Sequence, residues 1–355
     1  MKTFNWRLLV SETIKLIKYI KGVLFSPCFD FFNLLYGYLF FKIYNKTPNK
    51  SFQSLVNLFC LTRGFSNDIL STLVTFRNRP ISFESMIGIL GNMNIELRSQ
   101  VGTSLRTQGF YVFQDKMNVD IINELVAFAQ SRPATVRGIH DKKFIYDPLD
   151  LKGVRYDFDS DQLLELPCVQ KLVSDHTFLM IAQDYLGAPP ILDLISMWWH
   201  TPFQERPDED AAQLFHFDMD RIKWIKFFIY LTDVYEGNGP HTFIPKTHRR
   251  FGIPKDILRK GYARISDKEA SDALGENYQP KEFIGRQGTI IAEDTRGLHK
   301  GGVVREGGRL ILQLQFTNHL FGANISKFRL KNPIQELILA STNYPRAYSN
   351  FVLGN

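Results

Sequence analysis

The sequence predicts a mainly β fold with α-helices: a double-stranded β-helix, or jelly roll, with flanking helices and a helical N-terminal extension. Three observations predict this fold. The central part of the chain has several short strand-like runs, it has turn signals such as the Gly-Asn-Gly of Gly237–Gly239, and it lacks a regular alternation of helix and strand. The chain has 355 residues, of which 44% are apolar, and is long enough to bury a substantial core.

Four segments follow from the pattern along the chain. Residues 1–50 form a basic N-terminal segment, residues 51–107 a helical extension, residues 108–325 the barrel domain and residues 326–355 a C-terminal tail. In the helical extension, Gly64 and Pro80 are expected to separate short helices. No residue pattern in this extension indicates chemistry.

The N-terminal segment predicts a basic amphipathic helix followed by an apolar run. The helix has an apolar side with Trp6, Leu9, Thr13, Leu16, Ile17 and Ile20, and a polar side with Arg7, Ser11, Lys15 and Lys18. The run Val23–Phe41 is long enough to span a membrane, but Pro27, Asp30 and Asn33 interrupt it, which favours an interfacial segment. Peripheral membrane contact and docking on the barrel domain both remain open. The run lacks the small-residue cleavage site of a signal peptide.

The net charge of +7 is concentrated at the N-terminus. Residues 1–50 contain eight Lys or Arg against Glu12 and Asp30, whereas residues 105–355 contain 31 charges of each sign. A barrel domain with balanced charge gives no basis for nucleic-acid binding. The cysteines are odd in number and widely spaced, at Cys28, Cys60 and Cys168, which favours a reduced, cytoplasmic setting.

The barrel domain is expected to begin with a strand and a helix within Gly109–Gln130. The polar, acidic stretch Asp147–Gln162 then predicts a surface loop. Leu192–Phe203 is apolar enough for a buried strand, with Trp198 and His200 on one side and Met197 and Trp199 on the other.

A charged loop, Gln204–Gln213, follows this strand. Because loops beside a site often cover the substrate, it is a candidate lid. Its charge content favours the alternative, a solvated connection.

The strongest indication of chemistry is the pair His216 and Asp218. Residues i and i+2 of a strand project to the same face, so these side chains share a side while Phe217 points away. His299, in a later strand-like segment, supplies a third ligand. Two histidines and one carboxylate on one face of a metal leave coordination positions open, the arrangement of non-haem Fe(II) oxygenases.

Two strand-like runs beside this pair turn polar side chains to one face. In Ile222–Thr232 the even positions carry Trp224, Lys226, Phe228 and Tyr230. In the run that begins at Arg309, one face carries Arg309, Gln313 and Gln315, and the other carries Leu310, Leu312, Leu314 and Phe316. This division predicts one polar cavity and one packed layer, with Arg309 pointing into the cavity.

These motifs resemble the phytanoyl-CoA dioxygenase-like family of Fe(II)/2-oxoglutarate-dependent dioxygenases. The resemblance covers about residues 108–318 and rests on four elements in the family's order: FHFDMD from Phe215, IKFFIYLTDVYEGNGPHTFIPKTHR from Ile225, DTRGLHKG from Asp294, and Arg309 at the start of the next strand. A His-x-Asp pair alone occurs often by chance, whereas four elements in order are specific.

The resemblance implies a jelly-roll fold with Fe(II) bound by His216, Asp218 and His299 at one open end. 2-Oxoglutarate would take two metal positions and dioxygen a third, and the cosubstrate would be decarboxylated to succinate as a substrate C–H bond is hydroxylated. Related halogenases lack the carboxylate, so the presence of Asp218 favours hydroxylation.

Arg309 is the expected anchor for the distal carboxylate of 2-oxoglutarate, because a guanidinium binds a carboxylate through two parallel hydrogen bonds. Arg305 is a rival, but it lies in a glycine-flanked turn whereas Arg309 begins a strand. Family members often have Ser or Thr two residues after the distal histidine, where this chain has Gly301. Lys226 and Tyr230 are the candidates for the missing second contact.

The other polar candidates have plainer interpretations. His241 and His248 are isolated and are expected to be structural. Asp294 is expected to orient the strand or a metal ligand. A basic cluster, which either receives an anionic substrate or is simply solvated, consists of Lys246, Arg249 and Arg250.

Two functions from different classes follow. The first is a hydroxylase for a small-molecule or lipid-like substrate, and the second is a non-catalytic, cupin-like protein that binds a metal or ligand. Arg309 favours the first, because a site without turnover does not need it. Neither the substrate nor the oligomeric state follows from the sequence, since one barrel fold serves many substrates.

Overall fold

The computed structural model describes residues 27–354, so the amphipathic pattern predicted for residues 6–20 lies outside the described part. The helices are α1 (residues 27–44), α2 (Asn49–Thr62), α3 (Phe65–Arg77), α4 (Ile95–Thr107), α5 (Val119–Ser131), α6 (Ser160–Leu164), α7 (Pro167–Ser174), α8 (His176–Leu186), α9 (Lys255–Leu258), α10 (Asp267–Leu274) and α11 (Gln335–Asn343). The strands are β1 (Ile87–Gly88), β2 (Gly91–Asn92), β3 (Phe110–Val112), β4 (Ala134–Val136), β5 (Lys143–Phe144), β6 (Arg155–Asp157), β7 (Ile191–His200), β8 (Trp224–Tyr230), β9 (His241–Phe243), β10 (Lys281–Phe283), β11 (Ile290–Glu293), β12 (His299–Gly301), β13 (Arg309–Thr317), β14 (Phe328–Leu330) and β15 (Phe351–Leu353).

The barrel winds alternately between two sheets. The larger sheet has the order β3-β11-β8-β13-β7-β6-β4-β5, and the smaller has the order β10-β9-β12, which His216 extends by pairing with His299. Along the chain, β7, β8, β11 and β13 lie in the larger sheet, while residues 215–216, β9, β10 and β12 fall between them in the smaller one. This winding is a double-stranded β-helix, so the predicted fold is confirmed.

The larger sheet separates two environments. Its outer face packs against helices, with Phe227 of β8 and Leu312 of β13 in the main core beside α8. Its inner face meets the smaller sheet, where Phe228 and Ile311 share a second cluster with Phe243. The division predicted for β13 is therefore confirmed: its leucines pack outward, and its alternate residues face the barrel interior.

Helices α1 to α3 form a layer against the strand that carries the predicted metal ligands. Phe59 of α2 stacks on Phe217, with ring centroids 5.6 Å apart. The Asn67 side chain of α3 donates a 3.0 Å hydrogen bond to the Ile222 carbonyl. Gly64, at φ 92°, allows the sharp turn between α2 and α3 because it has no side chain.

Helix α1 shows that the docking expected as one alternative for the N-terminal segment does occur for residues 27–44. Tyr38 and Phe41 contact the Phe321 ring, with centroids 6.1 and 5.9 Å away. After the helix, Thr47 exchanges two main-chain hydrogen bonds with the Asn324 side chain, at 3.1 and 2.9 Å. Among residues 27–354, no helix combines the length and apolar content needed to cross a bilayer.

Strand β6 was not expected, because Asp147–Gln162 was predicted to be a surface loop. This prediction is wrong for Arg155–Asp157, which pairs with β7 and brings Arg155 opposite His200. The Arg155 guanidinium lies 4.2 Å from the centroid of the Trp198 ring and forms a 2.7 Å ion pair with Asp157. Its charges are satisfied by neighbours from the fold, so a polar sequence can form a strand here.

The C-terminal residues pack on the helical side of the larger sheet. The Ile334 amide donates a 2.7 Å hydrogen bond to the Gln170 side chain of α7. The Tyr348 hydroxyl donates one of 2.8 Å to the Val173 carbonyl. Strands β14 and β15 form a separate parallel pair.

Candidate metal centre

The two predicted histidine ligands lie side by side because their backbones pair. His216 and His299 exchange two main-chain hydrogen bonds, of 3.0 and 2.9 Å, and their ring centroids are 4.2 Å apart. The Asp218 amide donates a 2.8 Å hydrogen bond to the Thr295 carbonyl, which brings the carboxylate to the same side. One potential ligand atom from each residue lies within 4.8 Å of the other two. The structure thus brings together the three residues that the sequence predicted as metal ligands.

Hydrogen bonds fix the orientation of both imidazoles. Nδ1 of His216 lies 2.9 Å from the Leu214 carbonyl, and Nδ1 of His299 lies 3.0 Å from the Gly297 carbonyl. A carbonyl only accepts, so each Nδ1 carries the proton and each Nε2 presents its lone pair. Burial lowers the pKa of both histidines, well below the usual value for His216, so a metal does not compete with a proton near neutral pH.

The carboxylate of Asp218 is held ionised by Lys226. Nζ of Lys226 lies 2.6 Å from Oδ2 of Asp218 and 3.1 Å from Oδ2 of Asp220. Burial alone would raise the pKa of Asp218, but the charge of Lys226 holds it well below its usual range. The sequence analysis named Lys226 as a candidate cosubstrate contact. In the structure its ammonium pairs with the carboxylate of Asp218, the predicted metal ligand, and balances its negative charge.

Asp294 organises the turn that precedes His299. Its carboxylate accepts a 2.6 Å hydrogen bond from Arg296 and another from the Tyr185 hydroxyl. Its main-chain carbonyl accepts a 3.1 Å hydrogen bond from the Gly297 amide. This turn supplies the carbonyls that orient His299 and Asp218, so Asp294 acts on the ligands through the backbone.

Arg309 points into the barrel and is only partly paired. The residue is 1% exposed, and its Nη2 lies 2.7 Å from Nδ1 of His200. Its Nε and Nη1 atoms are also buried, and they have no partner among the described residues. Burial lowers the pKa of Arg309 to about 10, so it remains a cation near pH 7. A buried cation with two free donors is costly, which indicates a place for an anion.

His200 orients this guanidinium, a role that the sequence analysis missed. Its Nε2 lies 3.1 Å from the Ala211 carbonyl, which leaves Nδ1 as an acceptor for Arg309 and for Trp198, 3.2 Å away. Burial, together with the charge of Arg309, lowers the pKa of His200 well below its usual value and keeps the ring neutral. The signal in the sequence was weak: His200 only shared a predicted strand face with Trp198.

Gly301 gives the guanidinium its space. A Cβ built on Gly301 would lie 3.0 Å from Nη2 of Arg309. Gly301 and His299 lie about 7 Å apart along β12 and project to the same face, so the guanidinium beside Gly301 lies on the histidine side of the strand. The Arg309 guanidinium occupies the space that the side chain of the expected serine or threonine would take.

Tyr230 and Arg250, which belongs to the basic cluster, lie where they already have partners. The Tyr230 hydroxyl donates a 2.8 Å hydrogen bond to the Phe283 carbonyl, in the smaller sheet. In the basic cluster, Arg250 forms a 3.0 Å ion pair with Asp68 of α3. Nε2 of His248 lies 3.2 Å from the Arg106 carbonyl, in keeping with its expected structural role.

A second buried pair inside the barrel, His241 and Glu293, was also missed. Nε2 of His241 lies 2.9 Å from Oε2 of Glu293, and Oε1 has no partner in the described structure. Burial raises the pKa of Glu293 to about 8 and lowers that of His241 to about 3, so both are neutral near pH 7. The His241 ring is 5.8 Å from the His299 ring, on the interior side of β12.

The metal side of the barrel also carries Tyr262. Its hydroxyl donates a 3.4 Å hydrogen bond to Oδ1 of Asp218, and the residue is half exposed. The Arg264 guanidinium lies 5.8 Å from the Tyr262 ring, and its Nη1 is buried without a partner among the described residues. No sequence pattern marked this loop, which joins the site only because Ile265 pairs with Phe215.

No protein-family model and no curated protein matches this chain. Among solved structures, it is similar to the non-heme alpha ketoglutarate dependent epimerase SnoN from nogalamycin biosynthesis, at 16% identity over 63% of this chain and 82% of that one, with a TM-score of 0.44. It is similar to EctD from S. alaskensis with bound Fe, at 16% identity, 69% and 83% coverage and a TM-score of 0.45. For HygX from Streptomyces hygroscopicus with nickel and 2-oxoglutarate bound, the identity is 14%, the coverage 67% and 92%, and the TM-score 0.44.

The function proposed below therefore rests on the side chains of this chain. Among residues 27–354, His216, Asp218 and His299 are the one group of histidine, cysteine and acidic side chains placed to hold a metal ion. Arg309 reaches the Gly301 position on the same face of β12 as His299. The arrangement places two neutral imidazoles and one carboxylate, suited to a metal ion, beside a buried guanidinium with free donors.

Proposed function

We propose that the protein is an Fe(II)/2-oxoglutarate-dependent oxygenase that hydroxylates an unactivated C–H bond of a small-molecule or lipid-like substrate. The observation that carries the proposal is the buried, partly unpaired Arg309 on the same barrel wall as the His216, Asp218 and His299 group. We further propose membership of the phytanoyl-CoA dioxygenase-like branch and a cytoplasmic location, in line with the motifs and the cysteine pattern.

The residues present fit both Fe(II) and 2-oxoglutarate. Two neutral Nε2 atoms and an ionised carboxylate suit Fe(II), and three protein ligands leave open positions for further ligands. The Arg309 guanidinium reaches the Gly301 position, two residues along β12 from His299 and on the same face, where a dicarboxylate bound to a metal at one end can meet it. The free Nε and Nη1 donors of Arg309 suit its distal carboxylate.

When bound, iron with 2-oxoglutarate and dioxygen supplies the oxidant for the C–H bond, as the cosubstrate loses carbon dioxide and becomes succinate. The chain's own residues bind and orient. The Leu214 and Gly297 carbonyls fix the imidazole tautomers, Lys226 keeps Asp218 ionised, and His200 aims Arg309 at the cosubstrate position.

The test is an anaerobic titration with Fe(II) and then 2-oxoglutarate, followed by visible absorption. We expect the weak metal-to-ligand charge-transfer band of the chelate, and its loss in Asp218→Ala and in the isosteric Asp218→Asn. Asp272→Ala, which removes an exposed carboxylate on α10, should keep the band. A positive result would justify a screen for substrates that stimulate succinate release.

Iron binding without the band would contradict the proposal. The alternative, a cupin-like protein that binds a metal without turnover, would then explain the site. Retention of the band in both Asp218 variants would instead contradict the assignment of Asp218 as a ligand.

A further inference from the structure

Helices α1 and α3 present an apolar face that the barrel does not cover. Two of its side chains, Phe32 and Phe76, are 65% and 83% exposed. Between the helices lies a groove of about 730 Å³, with Leu34, Ile222 and Phe321 among the residues that line it. We define the helical apolar face by six exposed side chains: Phe31, Phe32, Leu35, Leu39, Leu73 and Phe76.

Helix α1 is apolar on more sides than its docking requires. Its inner side is already buried, with Leu34 in the cluster that contains Phe321. A surface helix normally turns polar side chains to water, whereas Phe32, Leu35 and Leu39 continue the apolar pattern on the outer side. Exposed apolar surface of this extent marks a site of contact with a partner or a membrane.

The segment that forms the face has an excess of basic residues. Residues 27–81 contain Lys42, Lys46, Lys50, Arg63, Arg77 and Arg79, against Asp30 and Asp68 as the only acids. Both acids are engaged, because Asp30 accepts a hydrogen bond from Asn57 and Asp68 pairs with Arg250. Lys42 and Arg77 line the groove itself. The 26 preceding residues add five Lys or Arg against one acid.

We propose that the helical apolar face docks on the surface of a bilayer that contains anionic phospholipids. Phenylalanine and leucine side chains beside lysine and arginine are the composition of an interfacial helix, whose apolar side enters the acyl boundary while its cations meet the phosphates. The 26 residues that precede α1 in the sequence add further Lys and Arg.

The proposal has a direct test, co-sedimentation of the full chain with vesicles of phosphatidylcholine, alone or mixed with phosphatidylserine. We expect binding to the anionic vesicles, and at least tenfold weaker binding for Phe32→Ala/Leu35→Ala/Leu39→Ala. The charge variant Lys42→Glu/Arg77→Glu should lose the preference for phosphatidylserine, and added salt should weaken binding of the parent chain. The experiment is done with a chelator, so its result does not depend on the proposed iron chemistry.

A matched control removes exposed apolar side chains elsewhere: Phe203→Ala/Leu149→Ala/Leu339→Ala, which are 48%, 95% and 52% exposed. It should bind like the parent chain. Thermal unfolding checks that each variant is folded, and because the substituted residues are exposed, all should be.

Three outcomes would overturn the proposal. The first is no binding of the parent chain to either vesicle. The second is undiminished binding by the triple α1 variant, with loss only on deletion of residues 1–26. The third is a parent chain that is dimeric by light scattering without vesicles and becomes monomeric in the triple variant, which would show that a second copy covers the face.

Discussion

At the scale of single residues, Arg309 is the proposed anchor for 2-oxoglutarate beside the candidate metal site. Its Nη2 is held by His200, and its Nε and Nη1 remain free in a buried position. Folding has already removed this guanidinium from water, so its desolvation cost does not arise again when an anion binds. An anion that accepts hydrogen bonds from both free donors is therefore bound strongly.

Arg309→Ala should raise the 2-oxoglutarate concentration needed for half-maximal chelate absorption by about 30-fold or more. Loss of one partner from a buried charge pair costs about 2–5 kcal/mol, and each 1.4 kcal/mol is tenfold in affinity. Arg309→Lys should be intermediate, because it keeps the charge without the fork. Arg305→Ala is the control, since Arg305 is exposed. Loss of affinity in that control with none in Arg309→Ala would reassign the anchor.

Glu293 provides a residue-scale test of electrostatics in the barrel interior. Burial raises its pKa to about 8 in the folded chain, whereas an unfolded glutamate titrates near pH 4.3. A raised folded-state pKa means that the neutral carboxyl stabilises the fold fully below about pH 4.3. This contribution is lost as pH rises through about 8, because the unfolded chain releases the proton first.

In metal-free protein, Glu293→Gln should therefore gain stability relative to the parent chain as pH rises from about 5 to about 8. Each pKa unit corresponds to about 1.4 kcal/mol, so a difference of a few kcal/mol is expected in the free energy of unfolding. Urea denaturation in the presence of a chelator measures it. Glu282→Gln, on the exposed side of β10, should follow the parent chain. Parallel pH profiles for parent and Glu293→Gln would contradict the assignment.

At the scale of elements, the contact between β8 and α8 fixes the barrel wall on which Lys226 lies. Phe227 is fully buried on the outer face of β8, and its ring meets Phe178 of α8 edge-on, with centroids 4.9 Å apart. It also lies 5.8 Å from Phe316 of β13. Strand β8 therefore packs against the helical layer through Phe227 on its outer face and carries Lys226, which balances the charge of Asp218, on its inner face.

Phe227→Ala should lower the free energy of unfolding by about 3–5 kcal/mol, because it removes a large buried ring and leaves a cavity. Urea denaturation gives the value directly. Phe76→Ala makes the same chemical change on the exposed side of α3 and should alter stability by no more than about 0.5 kcal/mol. Equal effects of the two substitutions would contradict the packing described for β8.

The paired backbones of residues 215–218 and β12 are the element on which the metal site depends. His216 and His299 exchange main-chain hydrogen bonds with each other, while the Asp218 amide donates one to the Thr295 carbonyl. Phe59 stacks on Phe217, so helix α2 packs against the backbone between the predicted ligands His216 and Asp218. The helical layer therefore supports the metal site as well as presenting the helical apolar face.

At the scale of the whole molecule, the charge distribution separates two tasks. The barrel domain has balanced charge, and its interior cations serve the site, with Lys226 on Asp218 and Arg309 free for an anion. The positive surplus lies in the N-terminal part of the sequence, which includes helix α1 of the face proposed to meet a membrane. The two proposals therefore use different residues and can fail independently.

By itself, the sequence determined which residues are placed to hold a metal and the two faces of the barrel strands. His216 and Asp218 are two residues apart, and alternation in a strand places such neighbours on one side whatever else the chain does. The same alternation predicted the leucine and glutamine faces of β13 and the inward direction of Arg309. These features depend on local geometry and on motif order, both of which are present in the linear chain.

Only the tertiary structure decided which groups meet across the barrel. His200 beside Arg309, Glu293 beside His241, and Lys226 on Asp218 each join side chains from separate segments. The strand β6 forms in a polar stretch for the same reason, since its charges find partners only when β7 lies next to it. Partner choice depends on which strands become neighbours, and that is set by the packing of the whole chain.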